Sequence, residues 1–301
     1  MTILITGATG LVGKNIVSLL LSKDYTVHYL STSKKKIKTE QNFKGFYWNP
    51  AKAEIDVNAF NGVSKVIHLA GATVANKWTA AYKSQILQSR VQSADLLFKT
   101  IKENDFKIDQ FISASAIGIY NSSVTVLNSE ETPTNPQTFL AEVVKTWEQK
   151  ADMFSNLSAK VCKVRIGIVL DKKEGALPKM MQPIKLGAGA ALGNGKQWQS
   201  WIHVKDLAQM FVYVLEENKE GIYNAVAPNP VTNIDLTKAV AKVLKKPMFL
   251  PAVPAFMLKL ILGEMSALVL ESQKVSSEKI TNEGFVFTFP KIEEALESIL
   301  K

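Results

Sequence analysis

Short apolar runs alternate with longer segments of helical periodicity through the first half of the chain. Five runs are apolar and rich in β-branched residues, as buried strands are; they span residues 2–7, 25–32, 62–71, 109–120 and 159–170, the fourth running into a small-residue turn. Between them, apolar residues recur every three or four positions, which predicts helices over residues 14–24, 78–104 and 136–154. No tight hairpin signal separates the strands, so the alternation predicts a parallel, doubly wound α/β sheet.

The pattern changes after Leu170. Residues 175–201 are rich in glycine and apolar side chains, which is typical of a lid or connector, and residues 201–217 and 221–226 predict a helix and a strand. The remainder predicts three helical patches, a strand over 285–290 and a short terminal helix. We therefore expect a sheet domain and a smaller, mostly helical lid or substrate domain. The sheet domain would comprise residues 1–174, with about 198–232 returning to it, and the smaller domain residues 175–197 and 233–301.

Composition narrows the class of protein. A chain of 301 residues with 47% hydrophobic content can bury a large core. The longest candidate for a membrane span, PAFMLKLILG, is short and carries Lys259, and the first residues resemble a strand rather than a signal peptide. The single cysteine, Cys162, excludes an internal disulfide. These observations favour a protein of the reducing cytoplasm with no membrane partner.

The net charge of +9 is carried almost entirely by lysine, since all but two of the 36 basic residues are lysines. Apart from Lys34, Lys35 and Lys36 they are scattered and not interleaved with aromatic residues, which predicts a solvated surface rather than a nucleic-acid partner. The exceptions are Arg90 and Arg165. A guanidinium kept in a lysine-rich chain indicates a site that needs planar, multi-donor geometry, although two residues can also arise by chance.

The sequence TGATGLVG follows the first strand and opens a helix. Its three glycines have the spacing that permits a tight turn and lets backbone N–H groups approach a pyrophosphate at a helix N-terminus. This predicts a dinucleotide site, and the contacts expected from the turn are Gly7, Thr9, Gly10, Leu11, Val12 and Gly13.

The end of the second strand distinguishes the two nicotinamide cofactors. An Asp or Glu about 20 residues past the glycines would hold the ribose diol of NAD. The chain instead has Ser31, Thr32, Ser33 and Lys34 there, followed by two more lysines. Hydroxyl and ammonium groups suit a 2′-phosphate, so NADP(H) is favoured over NAD(H). The alternative is NAD(H) held by backbone groups beside solvated lysines.

Ligands of such a sheet bind at the carboxyl ends of the strands. The loops that would share this rim span residues 7–13, 31–36, 70–78, 113–121 and 165–170. Further cofactor contacts are therefore expected from Leu69, Ala70, Gly71, Ser113 and Arg165. For Arg165, a salt bridge to a neighbouring element is the alternative. Arg90 shares a helix face with Lys83, so either could meet a phosphate, a carboxylate or a partner subunit.

Over nearly its whole length the chain resembles the extended short-chain dehydrogenase/reductase superfamily, and in particular an atypical branch of NAD(P)-dependent epimerase-like proteins with a distinctive C-terminal domain. The resemblance implies a Rossmann fold with a C-terminal substrate domain. It rests on motifs in order along the chain: TGATGLVG, WNP (48–50), HLAGATV (68–74), KW (77–78), Lys83, SRV (89–91), SASAIGIY (113–120), FLAEVVKTWE (139–148), RIGIVL (165–170), GKQWQSWIHVKD (195–206), YNAVAPNPVTN (223–233), LGEM (262–265) and GFVFTFP (284–290). Two positions depart from the family pattern: His68 stands where Asn is usual, and Thr32 where Arg is common.

The resemblance implies a catalytic Ser–Tyr–Lys arrangement in which the Tyr of Y-x-x-x-K is the general acid/base. The matching positions here are Ala141 and Lys145, so the lysine that would hold the nicotinamide ribose is present and the phenol is missing, as in the atypical branch. The usual serine position falls on Ala116, with Ser115 beside it.

The candidate catalytic residues are therefore Ser115, Tyr120 and Lys145, with a water or the substrate itself as alternative proton carriers. Tyr120 is the nearest phenol, although packing or substrate contact is its alternative role. Glu142 could act as a carboxylate acid/base, but its place in the first turn of a helix offers a simpler explanation.

The remaining polar residues predict no further chemistry. A structural role is expected for His203 and Asp206, tying the returning helix to the sheet, and His28 and His68 are expected in the core. The histidines and the cysteine have no metal-site spacing, so no metal is expected. The leading hypothesis is an NADP(H)-dependent epimerase or oxidoreductase acting on a small polar substrate, with sugar nucleotides among the candidates, as a monomer or homodimer. The alternative is a protein that binds or senses NADP(H) without turnover.

Overall fold

A computed structural model describes residues 1–135 and 137–301. The strands, in chain order, are β1 (Thr2–Thr6), β2 (Thr26–Ser31), β3 (Thr39–Glu40), β4 (Phe43–Asn49), β5 (Glu54–Ile55), β6 (Val63–His68), β7 (Gln110–Ala116), β8 (Leu127–Asn128), β9 (Lys160–Ile166), β10 (Ile168–Leu170), β11 (Trp198–Gln199), β12 (Trp201–His203), β13 (Gly221–Ala225), β14 (Val231–Thr232) and β15 (Lys274–Val275). The α-helices are α1 (Leu11–Ser22), α2 (Ala80–Glu103), α3 (Phe139–Asp152), α4 (Ala176–Lys185), α5 (Val204–Glu216), α6 (Asn233–Val243), α7 (Ala255–Leu262), α8 (Ala267–Leu270), α9 (Glu278–Asn282) and α10 (Ile292–Leu300).

One sheet of nine strands organises the described chain, in the order β13-β9-β7-β6-β1-β2-β4-β3, with β5 added beside β4. All its pairs are parallel except those that β3 and β5 make with β4. This confirms the predicted doubly wound, Rossmann-like sheet. The alternation along β1 shows how the layers form, because Ile3 and Ile5 pack in the core that holds α1 and α5, whereas Leu4 packs in the core that holds α2.

The predicted strand over 159–170 is divided at Gly167. A Cβ on Gly167 would lie 2.3 Å from the carbonyl oxygen of Ser200, so only glycine permits this approach of the two backbones. Residues before Gly167 remain in the large sheet as β9, and those after it leave the sheet and pair as β10 with β12. The helix predicted over 201–217 begins later for the same reason, because its first three residues form β12 and α5 starts at Val204.

The strand predicted over 285–290 is wrong, since these six residues are all described and none of them lies in a strand. The backbone N–H groups of Thr288 and Phe289 donate to the carboxylate of Asp206, at 3.0 and 2.9 Å, instead of to a neighbouring strand. Phe285 is buried in the core of the large sheet, which explains the apolar pattern. Asp206 therefore ties α5 to this C-terminal segment rather than to the sheet, and His203 caps α5 and stacks on Phe289.

The mostly helical C-terminal region has its own core. It is built from α4, α6 and α10 around Trp201 and contains Leu177, Leu236 and Leu296. The exact domain limits remain a prediction, since Ile280 and Phe285 belong to the sheet core. Within the described residues, no helix is both long and apolar enough to cross a membrane.

Cys162 lies on β9 in the sheet core with no exposed surface. Burial raises the pKa of its thiol to about 12.

Candidate functional site

The turn between β1 and α1 is built for close approach of another group to its backbone. Gly7 has a φ of +70°, in the left-handed region, and its carbonyl oxygen accepts from Gly10 N at 3.0 Å. A Cβ on Gly13 would lie 2.2 Å from that same oxygen, so α1 can pack on the turn only with glycine at this position. Gly10 caps α1 without a side-chain hydrogen bond. The first N–H groups of the helix, at Leu11 and Val12, are thus left available for an anion.

A cleft of about 490 Å³ opens beside this turn, between the ends of β2, β4 and β6 and the face of α2. Seven of the predicted cofactor residues line it: Gly7, Thr9, Ser31, Thr32, Ser33, Ala70 and Gly71. Among the described residues, no Asp or Glu contributes to its lining. The structure thus brings together the predicted glycine turn, the end of the second strand and the loop after β6.

Sequence reasoning missed part of the cleft. The lining residues outside the predicted rim loops are Leu30, Trp48, Asn49, Pro50, Ala51, Gln85, Gln88, Ser89, Gln92 and Ser93, whereas Lys36 and Ala72 belong to those loops. The WNP motif at 48–50 was a signal without an assigned role, and it marks the end of β4. The glutamines on α2 fall at helical spacing on one face, which could have been read from the sequence.

The lysines that follow β2 have different surroundings. Lys36 lines the cleft. The ammonium of Lys34, which was predicted to contact the cofactor, lies 4.9 Å from the centre of the Tyr47 ring. Ser31 Oγ accepts from the backbone N–H of Ser33 at 3.1 Å, which fixes the turn between them. The cleft therefore presents hydroxyl groups and one ammonium group at this end.

A buried histidine holds the loop after β6. Thr6 Oγ1 accepts from the backbone N–H groups of Leu69 and Ala70, so its own proton is directed to His68 Nδ1, 2.8 Å away. His68 Nε2–H then donates to Ser93 Oγ at 3.2 Å. Burial, and secondarily the charge of Arg90, lowers the pKa of His68 to about 3, so the imidazole is neutral. His68 is thus a core residue, as expected, and it positions the backbone that lines the cleft.

The candidate catalytic residues Ser115 and Tyr120 lie in a buried polar network. Arg165 donates to both carboxylate oxygens of Glu148, at 2.8 and 2.9 Å, and to Tyr120 Oη at 2.9 Å. Ser115 Oγ donates to Glu148 at 2.6 Å, and Tyr120 Oη donates to Asn224 at 2.8 Å. All are 7% exposed or less. The salt bridge considered for Arg165 is present, and its guanidinium is bonded within the protein.

Burial shapes the acid–base properties of this network. Burial alone would raise the pKa of Glu148, but the hydrogen bonds and charge of Arg165 and the Ser115 hydroxyl hold it below its usual range. Burial raises the pKa of Tyr120 even though Arg165 opposes the shift. The phenol thus retains its proton at neutral pH, which does not favour Tyr120 as a general base.

The helix that carries the predicted ribose-binding lysine begins at Phe139. Thr138 caps α3 by accepting from Ala141 N at 3.3 Å. Ala141 is buried, whereas Lys145 and Glu142 are exposed. Ser113 is buried in β7 and donates to the carbonyl oxygen of Ala114. Lys145, Ser113 and Arg165 do not line the cleft; their predicted roles at the nicotinamide end remain predictions.

Comparison with known proteins identifies the family. A model described as the NAD dependent epimerase/dehydratase family matches residues 3–226. The chain belongs to this family. A second model, described as a domain of unknown function (DUF1731), matches residues 253–299 and confirms the distinctive C-terminal domain. The epimerase family protein YfhF of Bacillus subtilis (strain 168) is 34% identical over 301 residues, covering 100% of this family member and 98% of the relative.

Solved structures agree with this membership. The crystal structure of the human epimerase family protein SDR39U1 (isoform2) with NADPH is 27% identical, covers 99% of both chains and gives a TM-score of 0.86. The UDP-glucose 4-epimerase of Thermus thermophilus, in complex with NAD, is 18% identical, covers 99% of this family member and 98% of that chain, and shares the fold with a TM-score of 0.78. This family member therefore has an NAD(P)-binding fold of the atypical short-chain dehydrogenase/reductase type.

Proposed function

We propose that this protein binds NADP(H) in preference to NAD(H) and uses it in an epimerase or oxidoreductase reaction on a small polar substrate. The observation that carries the cofactor preference is the end of the cleft at β2, where Ser31, Ser33 and Lys36 line the wall and no carboxylate of the described residues does. A carboxylate would repel a 2′-phosphate, whereas hydroxyl and ammonium groups can bind it. The similar human protein was crystallised with NADPH, which supports the same preference.

The residues present fit such a cofactor. The positive φ of Gly7 and the close packing of α1 on the turn, which only glycine at position 13 permits, form a cradle at the free N–H groups of α1. These groups would hold the diphosphate, and Lys145, exposed on α3, would hold the nicotinamide ribose. When bound, the cofactor would supply a centre that accepts and returns hydride. Sugar nucleotides are the leading substrate class, because the family is one of epimerases and dehydratases.

Proton transfer must occur without the usual phenol. Ala141 is buried where that tyrosine would stand, so no side chain of α3 replaces it at that position. Ser115 and Tyr120 remain the candidate proton carriers beside water and the substrate. Each would have to exchange a hydrogen bond of the buried network for one to substrate, which costs about 1 kcal/mol or more.

This constraint favours a second candidate function, binding or sensing of NADP(H) without turnover. Ala141 removes the acid/base, and the Ser115 hydroxyl is committed to Glu148. Binding alone requires only the cleft and the glycine turn.

Binding measurements on purified protein test the cofactor preference. We expect NADPH to bind about tenfold more tightly than NADH or better, as one charge-assisted contact can provide. Lys36→Ala should lose most of this difference, because the substitution weakens the binding of NADPH and not that of NADH. Lys35→Ala, which removes an exposed lysine of the same turn that does not line the cleft, is the matched control. Equal affinities for NADPH and NADH would overturn the preference.

Turnover separates the two candidate functions. Reduced-nicotinamide absorbance and product chromatography should be followed with a panel of sugar nucleotides and small carbonyl compounds. Conversion that is lowered by Lys145→Ala, and by Ser115→Ala or Tyr120→Phe, supports the enzyme. Tight NADPH binding with no conversion of any panel member supports the sensing protein.

A further inference from the structure

The two arginines of the chain differ in how their charge is balanced. Arg165 is paired with Glu148. Arg90, on α2, has no carboxylate oxygen within 4.0 Å among the described residues. Its Nη1 donates instead to two backbone carbonyl oxygens, of Ile86 at 2.8 Å and of Ala72 at 3.2 Å. Its Nε is buried and has no hydrogen-bond partner within residues 1–135 and 137–301.

The guanidinium is held in one place by its neighbours. It stacks over Trp147 of α3, with its central carbon 4.7 Å from the ring centre. Burial lowers the pKa of Arg90 to about 10, so it remains protonated at neutral pH. A partly buried cation without a counter-ion is unfavourable, because neutral carbonyl groups replace its lost hydration only in part. It therefore projects a positive potential into whatever space adjoins it.

That space is the cleft. A Cβ built on Gly71 would lie 3.0 Å from the central carbon of Arg90, so the charge lies directly behind the backbone of Gly71. Gly71 lines the cleft together with Gly7 and Thr9 of the glycine turn. A Cβ on Gly7, in turn, would lie 3.1 Å from the backbone of Leu69, which shows that the loop after β6 and the glycine turn adjoin. The diphosphate position expected at the turn is therefore close to the uncompensated charge.

We propose that Arg90 is the fixed counter-charge for the diphosphate of a dinucleotide bound in the cleft, acting across the backbone of Gly71. The inference rests on the proposed binding of NADP(H). It also explains why arginine is present where the chain otherwise uses lysine. A guanidinium can stack on Trp147 and bond two carbonyl groups while keeping its charge, whereas a compact ammonium would draw water into the site.

A purely structural role is the competing explanation, since Arg90 also clamps the loop at Ala72. The two roles can be separated by measuring the affinity with which adenosine, 2′-AMP and ADP each displace NADPH from the protein. The variant Arg90→Gln keeps a side-chain donor and loses the charge. We expect this variant to bind ADP about tenfold more weakly than the wild type, which is equivalent to about 1.4 kcal/mol. Its affinities for adenosine and 2′-AMP should stay within about twofold of the wild-type values. Arg90→Lys should keep most of the ADP affinity.

Lys99→Gln is the matched control, because it removes an equal charge from an exposed position of α2 that has 65% of its side-chain surface accessible. It should leave all three affinities unchanged. The proposal would be overturned if the affinities for adenosine and ADP fell equally, if only the affinity for 2′-AMP fell, or if no affinity fell at all. If Arg90→Gln does not fold, Arg90→Met takes its place with the same expected result. If neither variant folds, Arg90 is a structural clamp and the proposal is also overturned. Failure of the wild type to bind NADPH would instead reject the proposed function.

Discussion

At the scale of single residues, Glu148 occupies an unusual position, because it accepts from Ser115 and from two nitrogens of Arg165 while almost fully buried. Its ionised form is stabilised by these donors, so this contribution is present above the usual glutamate pKa and is lost as the pH falls through the lowered pKa. The network links α3 to β7 and β9 and fixes the helix that carries Lys145.

Replacing Glu148 by Ala should therefore be costly. It would leave the Arg165 charge buried and unpaired, and we expect a loss of about 3–5 kcal/mol in the free energy of unfolding, measured with urea. Adding Arg165→Met should restore part of the loss. Glu103→Ala, which removes an exposed partner of Lys99, should change stability by less than about 1 kcal/mol. A loss for Glu148→Ala as small as that of the control would contradict the proposed importance of the pair.

The buried His68 makes stability depend on pH. Its pKa is about 3 in the folded protein, against about 6.5 when unfolded. Between these values the unfolded chain binds a proton that the native state does not, so stability falls as the pH is lowered below 6.5, by about 1.4 kcal/mol per unit. His203, with a pKa lowered to about 4 chiefly by burial, should act in the same direction.

The variant His68→Asn isolates one of these contributions. Between pH 7 and pH 5 it should lose about 2 kcal/mol less unfolding free energy than the wild type, because one proton-binding group has been removed. Urea unfolding at several pH values measures the difference, in which the other titrating groups cancel. Identical slopes for the two proteins would show that His68 is not held neutral.

Local motifs made part of the site predictable. Gly7 and Thr9 come just after β1, and Ser31 to Ser33 lie at the end of β2, so recognising each strand in the sequence is enough to place these residues at the cleft. The partner of Arg165 could not be read in this way, because Glu148 reaches it from a separate helix and only the packing of α3 on the sheet brings them together. Trp48 and Asn49 were missed because β4 is only partly buried and lacks the pattern of a buried strand, and its position beside β2 is a matter of topology.

At the scale of elements, the contact between α1 and the glycine turn decides whether the cradle exists. Gly13→Ala would place a methyl group 2.2 Å from Gly7 O and 2.7 Å from Ala8 Cα. We expect α1 to shift, with a loss of about 1–3 kcal/mol in stability and of most NADPH affinity. Binding assays and urea unfolding measure the two effects.

Gly118→Ala is the appropriate control, because its added Cβ would meet only Leu140 Cβ, at 3.9 Å. It should bind NADPH as the wild type does. Unchanged NADPH binding by Gly13→Ala would show that the close approach of helix and turn is dispensable.

Element boundaries were less predictable than element types where one backbone meets another. The division at Gly167 depends on the carbonyl of Ser200, which is 33 positions away in sequence and adjoins it only in the folded chain. The apolar alternation of 285–290 was read as a strand, but apolar spacing reports burial and not the partner of the backbone N–H groups. Here that partner is a side chain, Asp206.

At the scale of the whole molecule, Asp206 joins the returning helix to the C-terminal segment. In Asp206→Asn, the amide N–H₂ would face one of the two backbone N–H donors, which would lose its acceptor. We therefore expect a loss of about 1–3 kcal/mol in the free energy of unfolding and faster proteolysis of residues 284–301. Gln209→Ala, which removes an exposed bond to the Thr288 hydroxyl, should affect neither measurement. Equal proteolysis of both variants would show that the segment is held by its apolar contacts alone.

The lone cysteine gives the molecule a built-in reporter. Since the thiolate is the reactive form, a buried thiol with a pKa near 12 should be inert to alkylating reagents while β7, β9 and β13 remain paired. Labelling of Cys162 then requires opening of the sheet around β9, next to the edge strand β13. The labelling rate of the unmodified protein would follow that opening directly, and its slowing by added nucleotide would give a ligand affinity without any assay of turnover.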